Sequence, residues 1–456
     1  MPRTFRFQPR VERVKGELAA LPLIELAARL VPPRAPCVLL AGWPAGATLL
    51  AFAPLATLRA RSLAGLGREL ARLEPLAGDP LPGPFHGGVL AALAYELGRG
   101  AERGLVLPPD PWGWPSLVGG LYCDFLVELA DGARFLVLGE DPGDGRAPVT
   151  TRARELARRA ARPRALDPAV PRAPLARLVA PAEHARRVRE VRAHIAAGEV
   201  YQANLTFRMT RAMAGDSLAL QRRLCELHPA PYAGYLRFRD GALLSASPEL
   251  LLEFTRDAEG WLARTRPIKG TAARGADPAQ DAAQRAALLA SEKDTSELAM
   301  IVDLERNDLG RIARTGGVTV GTFPSLESYA SVHHLCCDVR ARPREGLGAL
   351  EVLGALFPGG SITGAPKLRS MELIAELEGE GRGFSYGSLL ALDTRGEAWA
   401  SLLIRTLLWR SAPGGAEVSF RVGGGITWGS VPEDEEAEAE AKARPLLRAL
   451  EGGSGP

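Results

Sequence analysis

The chain has 456 residues, a net charge near +3, and 46% hydrophobic and 24% charged residues. That length can bury a core spread over two or three lobes, and so slight a charge gives no reason to expect nucleic acid as a partner. No apolar run is long enough to cross a bilayer, and the N-terminal MPRTFRFQPRVERVKGEL lacks the unbroken apolar stretch of a secretory signal. Cys37, Cys123, Cys225, Cys336 and Cys337 form neither a disulfide framework nor a Cys-x-x-Cys motif. A reduced, cytoplasmic enzyme without a membrane partner is expected.

Residues 1–150 carry apolar runs broken by Gly and Pro. YCDFLVELADGARFLVLGE reads as two strands around an Asp-Gly turn. The proline-rich, poorly periodic stretch that follows places a linker over 151–180. Beyond it lies a second region over residues 181–448. Its first helix is read from the spacing of Val188, Val191, Ile195 and Ala196, and ends at Gly198. PYAGYLRFRDGALLSASPELLLEF is a second Asp-Gly hairpin, strands then alternate with helices, and the EGGSGP tail is expected to be disordered.

Five lysines stand among fifty-one arginines, and four of them, Lys269, Lys293, Lys367 and Lys442, lie in the last two hundred residues. Arg stays charged at any working pH, whereas a desolvated Lys can lose its proton and act as nucleophile or base. Lys269 in TRPIKGT therefore reads either as a structural ion pair or as a chemical group. The only asparagines, Asn204 and Asn307, fall in VYQANLT and LERND. Asp294 and Glu297 are three apart, as are Glu435 and Glu438, so each pair projects from one helix face. A solvated acidic face is the plain reading. However, Glu297 runs straight into Met300, Ile301 and Val302, where a carboxylate needs a partner. Two such helices could hold one hard cation, with waters completing its shell, as Mg2+ is usually bound. FPGGSITGAPK lacks the ending of a nucleotide phosphate loop. RVGGGITWGS is either an ordinary turn or a close backbone approach to a ligand carboxylate. Arg405 is a lone cation in an apolar strand, LLIRTLL. It is a strand end, a buried ion pair or a bidentate carboxylate clamp.

Taken in order, GEVYQANLT, SASPELLLEF, TRPIKGT, KDTSELAMIVDLERNDLGR, VHHL, FPGGSITGAPK, LLIRT, GGGI and EAEAEAKAR resemble the chorismate-utilising enzymes. This is the family of anthranilate, aminodeoxychorismate, isochorismate and salicylate synthases. The resemblance covers residues 185–446, and PFHGGVLAALAYELGR extends it more weakly toward the N-terminus. Two positions distinguish the branches. Where the isochorismate and salicylate branches carry a lysine base, this chain has Gln202, which cannot deprotonate water. Where anthranilate synthases carry Ala, it has Lys269, the mark of aminodeoxychorismate synthase component I.

The resemblance makes residues 181–448 the expected catalytic region and implies an α+β fold, with two large, mostly antiparallel sheets facing each other, helices outside, interwoven lobes and the active site in the cleft. It implies amination of chorismate at C4 to 4-amino-4-deoxychorismate, on the way to 4-aminobenzoate and folate. Lys269 would be the covalent nucleophile and Glu249 the general acid. Gln202, Thr271, His334, Thr363, Arg405, Gly424, Gly425 and Lys442 would line the substrate. Glu297 and Glu438, with Glu435 and Asp294 close by, would hold Mg2+. No segment carries the Cys nucleophile and His-x-Glu arrangement of a glutaminase, so ammonia is expected from a separate glutamine amidotransferase subunit. Two departures stand out. Ser385 takes the place of a usual aromatic residue, with Tyr386 one position later, and Leu390 replaces a usual Gly. The N-terminal region has no convincing tryptophan-binding segment. An anthranilate synthase component I and a catalytically idle chorismate-binding subunit are the alternatives.

Overall fold

The computed structural model describes residues 5, 8–60, 62–72, 74, 81–100, 105–140, 145–329 and 332–452. The last four residues of the tail lie outside them. Two large antiparallel sheets carry the fold, one of thirteen strands and one of nine, beside a three-stranded sheet made by Ile268–Ala273, Val332–Cys336 and Ser325–Ser328. The α+β expectation holds.

Both expected Asp-Gly hairpins form. Asp124–Glu128 pairs with Arg134–Glu140, and Tyr232–Phe238 with Gly241–Ser247. The regions before and after residue 150 share both sheets. In the larger sheet Cys37–Ala41 pairs with Tyr232–Phe238, and in the smaller one Gly88–Leu93 pairs with Ser388–Asp393. Residues 1–150 therefore make no sheet of their own.

The segment expected as a linker is more structured than its prolines suggest. Its first part belongs to the Val149–Ala160 helix. Val170–Pro171 and Ala176–Arg177 then pair with the free edge of the long Gln202–Ala214 strand. Extended backbone running past a strand edge can satisfy its own polar groups there, and proline is tolerated at an edge.

Three apolar layers hold the molecule together. Between the sheets, Val38, Leu40 and Leu243 from one pack with Leu90, Leu389 and Trp399 from the other. The sheets approach so closely that a Cβ on Gly234 would lie 2.4 Å from Leu389 Cδ2. Outside the larger sheet lie the Leu23–Leu30, Ser217–Leu227 and Pro432–Glu451 helices; outside the smaller one lie Glu292–Gly310 and Ala349–Leu356. Among the described residues, no helix is long and apolar enough to cross a membrane.

The chain passes twice between the large sheets at one corner. Gly241–Ser247 lies in the larger sheet and Leu250–Asp257 in the smaller; Ala398–Leu402 lies in the smaller and Thr406–Ala412 in the larger. The two crossings are neighbours, since Ser245 pairs with Thr406 and Leu250 with Ser401. Glu249 sits in the first crossing and Arg405 in the second.

Candidate active site

Glu249 is buried at its corner, its amide donating to Ser247 Oγ at 3.2 Å and its carbonyl accepting from Leu402 N at 3.1 Å. One carboxylate oxygen, Oε1, is buried without a partner among the described residues. Burial pushes this carboxyl up to about 7, against the opposing pull of Ser361, Lys269 and Arg405. A carboxyl at that value holds a proton at neutral pH for about half the time.

Arg405 is not inside a strand. It occupies the break before Thr406–Ala412 with φ +49°, a conformation that side chains with a Cβ rarely adopt. Its Nη1 donates to His228 Nε2 at 3.0 Å. Among the described residues it has no carboxylate partner within ion-pair distance, which leaves a largely desolvated cation waiting for an anion. His334, held with Nδ1 2.9 Å from Thr271 Oγ1, is pushed down to about 4 by burial and by the charge of Arg405. Its Nε2 is buried and has no partner among the described residues.

Lys269 lies on Ile268–Ala273, where the pairing with Val332–Cys336 slips by a residue between Lys269 and Thr271. Gly270 makes this slip possible: its φ is +70°, and a Cβ there would meet Asp294 Cβ at 2.9 Å. Desolvation pulls the Lys269 ammonium below its ordinary value and Lys442 adds to this, while Glu297, Glu249 and Glu438 oppose it. Among the described residues its amine makes no hydrogen bond or close ion pair.

The Gln202–Ala214 and Gly415–Ile426 strands form the floor, with Asn204 opposite Gly425 and Leu205 opposite Gly424. A Cβ on Gly425 would lie 2.5 Å from Gln202 Nε2 and 3.2 Å from Lys269 Nζ. A Cβ on Gly424 would meet Glu435 Oε2 at 3.0 Å, Lys442 Nζ at 3.6 Å and Glu438 Oε1 at 3.7 Å. Both glycines thus keep open the space where these groups converge. The Gln202 amide is buried, and neither of its polar atoms has a partner among the described residues. Thr363, fully buried after the Gly360–Ile362 turn, donates through Oγ1 to Gly359 O at 2.9 Å, and its carbonyl accepts from Asn204 N at 2.8 Å.

Of the four expected metal ligands, Glu435 and Glu438 converge on Gly424. Glu297 feels Lys269 and Lys293, and Asp294 accepts from Ser291 Oγ at 2.6 Å as part of its helix cap. Burial, then carboxylate neighbours, raise Glu297 and Glu435 above their ordinary values. Lys442 pairs with Glu438 at 2.6 Å and donates to Gly423 O at 3.2 Å. Among the described residues no three of these carboxylates close on a single point. A donor set made only of carboxylate oxygens nevertheless fits Mg2+, which takes one or two carboxylates and keeps several waters.

Several residues fall outside the cluster or were missed. Lys367 pairs with Asp308 at 2.6 Å, Asn307 is exposed, and Leu390 packs in the core behind the smaller sheet. Tyr386, at φ +63°, lays its ring over Arg382, 5.1 Å from the guanidinium carbon. His228, Ser361 and the buried Glu305 were not foreseen. Glu305 accepts from Thr265 Oγ1 at 2.8 Å and is pushed up to about 8 by burial and then by Glu249. Its spacing from Glu297, two helical turns along the same face, was the one signal available.

Comparison with known proteins agrees with this arrangement. Residues 35–448 match the model of the chorismate binding enzyme family. Aminodeoxychorismate synthase component 1 of Salmonella typhimurium is 36% identical over 386 residues, covering 83% of this chain and 81% of that protein. Anthranilate synthase component 1 of Streptomyces coelicolor is 35% identical over 422 residues, covering 84% and 80%. Aminodeoxychorismate synthase component 1 of Bacillus subtilis is 39% identical over 264 residues, a match spanning 58% of this chain and 54% of that protein. Among solved structures, anthranilate synthase component I from Streptococcus pneumoniae superposes with TM-score 0.75 at 26% identity, covering 88% of this chain and 92% of that one. With nearly its whole length matched to the family and the matched motifs gathered at one corner of the sheets, the chain belongs to the chorismate binding enzymes.

Proposed function

We propose that the protein aminates chorismate at C4, giving 4-amino-4-deoxychorismate, with ammonia supplied by a separate glutaminase subunit. The observation that carries this reading is Lys269: an amine with no hydrogen bond among the described residues, desolvated, and 3.2 Å from where a Gly425 Cβ would stand. An arginine could not lose a proton there.

In this reading Arg405, Thr363, the Gly424–Gly425 backbone and Lys442 bind the carboxylates, while Gln202, Thr271 and His334 line the ring. The neutral amine of Lys269 forms a bond to C2. The ring double bond shifts, the C4–O bond breaks, and protonated Glu249 delivers its proton to the departing hydroxyl, which leaves as water. Ammonia then attacks C4, the double bond returns, and the C2–N bond breaks to release Lys269. Glu249, now ionised, takes up the proton lost by nitrogen. Glu297 and Glu438, with Glu435 and Asp294 nearby, would hold Mg2+, whose positive charge would polarise a substrate carboxylate.

A second reading, direct addition of ammonia at C2 to yield anthranilate, is favoured by anthranilate synthases of comparable identity among the relatives. Incubating the purified chain with chorismate, Mg2+ and ammonium, and identifying the product by chromatography and mass, separates the two. Aminodeoxychorismate is expected. Anthranilate would move the assignment to the second reading. No product, even with a glutaminase subunit added, would point to an idle chorismate-binding subunit.

A further inference from the structure

The Arg405 side chain has one polar partner among the described residues, and that partner is unusual. His228 is the residue that closes the Ser217–Leu227 helix, its amide donating to Leu224 O at 2.9 Å. The following Pro229 and Pro231 lead directly into the Tyr232–Phe238 strand. The residue is 9% exposed, and its Nε2 accepts from Arg405 Nη1 at 3.0 Å. Accepting there places the ring proton on Nδ1. Burial, and then the adjacent guanidinium, push His228 down to about 4, so the ring is neutral wherever the enzyme would work.

We propose that His228 is a positioning residue for Arg405, occupying Nη1 so that the Nη2 and Nε edge of the guanidinium stays free for a substrate carboxylate. The choice of partner matters. A carboxylate in the same place would orient the guanidinium equally well, yet it would cancel the charge and compete with the incoming anion. A neutral acceptor fixes direction and leaves the charge intact. The backbone does the rest, since Arg405 is held at φ +49° and its carbonyl accepts from Ala246 N at 3.2 Å. Both ends of the side chain are thus set before substrate arrives, which lowers the ordering cost of binding.

The inference rests on Arg405 as a carboxylate receptor, and it is tested by titrating chorismate into the protein calorimetrically without ammonium. Substitution H228L should weaken chorismate binding about tenfold, the effect of losing one charge-assisted hydrogen bond. H228Q, whose amide oxygen can still accept, should recover most of it. KM should rise by a similar factor while kcat falls less. In an R405M background, H228L should cause no further loss, because the histidine acts only through the arginine. Unchanged affinity in H228L, or an equal loss with and without Arg405, would overturn the proposal. If H228L fails to fold, H228A carries the same comparison. Wild-type protein that does not bind chorismate would sink the functional reading and this inference together. Wild-type binding with uncoupled variants would sink this inference alone.

Discussion

Two buried polar regions lie close together in this molecule and differ in one respect. In the first, Glu378 accepts from Thr206 N and Oγ1, from Arg382 Nε and Nη2, and from Arg421 Nη1, all within 3.1 Å. Arg382 also donates to Ile362 O at 2.9 Å and Asn204 O at 2.6 Å, and its guanidinium carbon lies 4.7 Å from the Tyr95 ring centroid. The second region is the corner holding Glu249, Lys269, Arg405, His334 and Gln202, where Glu249 Oε1, His334 Nε2 and both amide atoms of Gln202 stand without partners among the described residues. The first has every oxygen of its carboxylate paired and ties the strand after Gln202 to the turn before Thr363, although Arg421 Nε, Tyr95 OH and Asn204 Oδ1 at its margin find no partner among the described residues. The second is left open. Buried polar groups are ordinarily paired, so a corner whose charged and amide groups lack partners, beside a carboxylate that is fully paired, is the candidate place for a ligand to complete the pairing.

The comparison can be broken most sharply at Lys269. Replacing it by Ala should lower C4 amination by about a thousandfold or more, because the proposed covalent path would be lost. Folding stability should be unchanged or improved, since a desolvated amine is removed. The check is product formation with ammonium, alongside thermal melting. If C4 amination survives, the lysine is not the nucleophile.

At the fully paired carboxylate the same logic has the opposite sign. Glu378→Gln should destabilise the fold by about 3–5 kcal/mol, as expected when a buried ion pair loses one partner, measurable by denaturant unfolding. Full stability in this variant would mean that the cluster is no more satisfied than the corner.

Glu249 sharpens the contrast through pH. Its folded pKa is raised to about 7 from an ordinary value of 4.5. The folded state therefore binds the proton more tightly than the unfolded chain, and stability falls as pH rises between those two values. That shift corresponds to roughly 3 kcal/mol at alkaline pH, with Glu305 contributing in the same direction. Glu249→Gln should flatten part of this slope when unfolding is followed from pH 4 to 8, while removing the proposed general acid. In the wild type, a step that needs protonated Glu249 should slow as pH rises through about 7. A slope unaltered by Glu249→Gln would place the perturbation elsewhere.

The smallest effect is expected at the floor. Gly425→Ala places a methyl 2.5 Å from Gln202 Nε2, the movable end of a side chain, and 3.2 Å from Lys269 Nζ. The amide can swing aside, so stability should change by less than about 1 kcal/mol. Turnover should fall about tenfold as Lys269 is displaced. Steady-state rates compared with melting temperature separate the two.

Much of this was legible in the chain. The two Asp-Gly hairpins, the Pro181–Ala196 helix ending before Gly198, and the two acidic helices follow from turn chemistry and periodicity, which are local. Lys269, Arg405, Gly424 and Gly425 stood out because a rare lysine, a lone arginine and a glycine string are visible in one dimension, whereas Glu249 and Gln202 came only from the resemblance of their strings to a family. The linker over 151–180 was misread because a proline-rich segment shows no period of its own, and its pairing partner lies some forty residues further on. SPEL and LLIRT each looked like continuous strand, though both are crossings between sheets. His228 and Glu305 carried too little local signal to be chosen, and Tyr386 gave no hint that its ring would cover Arg382.

Residue chemistry was therefore determined by the sequence alone: which groups can titrate, accept or donate, and which positions tolerate a close approach. Only the tertiary structure decided which of them are desolvated together. Burial at the corner depends on two sheets closing over it and on strands drawn from both ends of the chain. That closure gives Lys269 and Glu249 their altered proton affinities and leaves Arg405 with a neutral partner in place of an acid. A pattern along the chain records what each residue is; its protonation and its partners are properties of the neighbours that folding supplies.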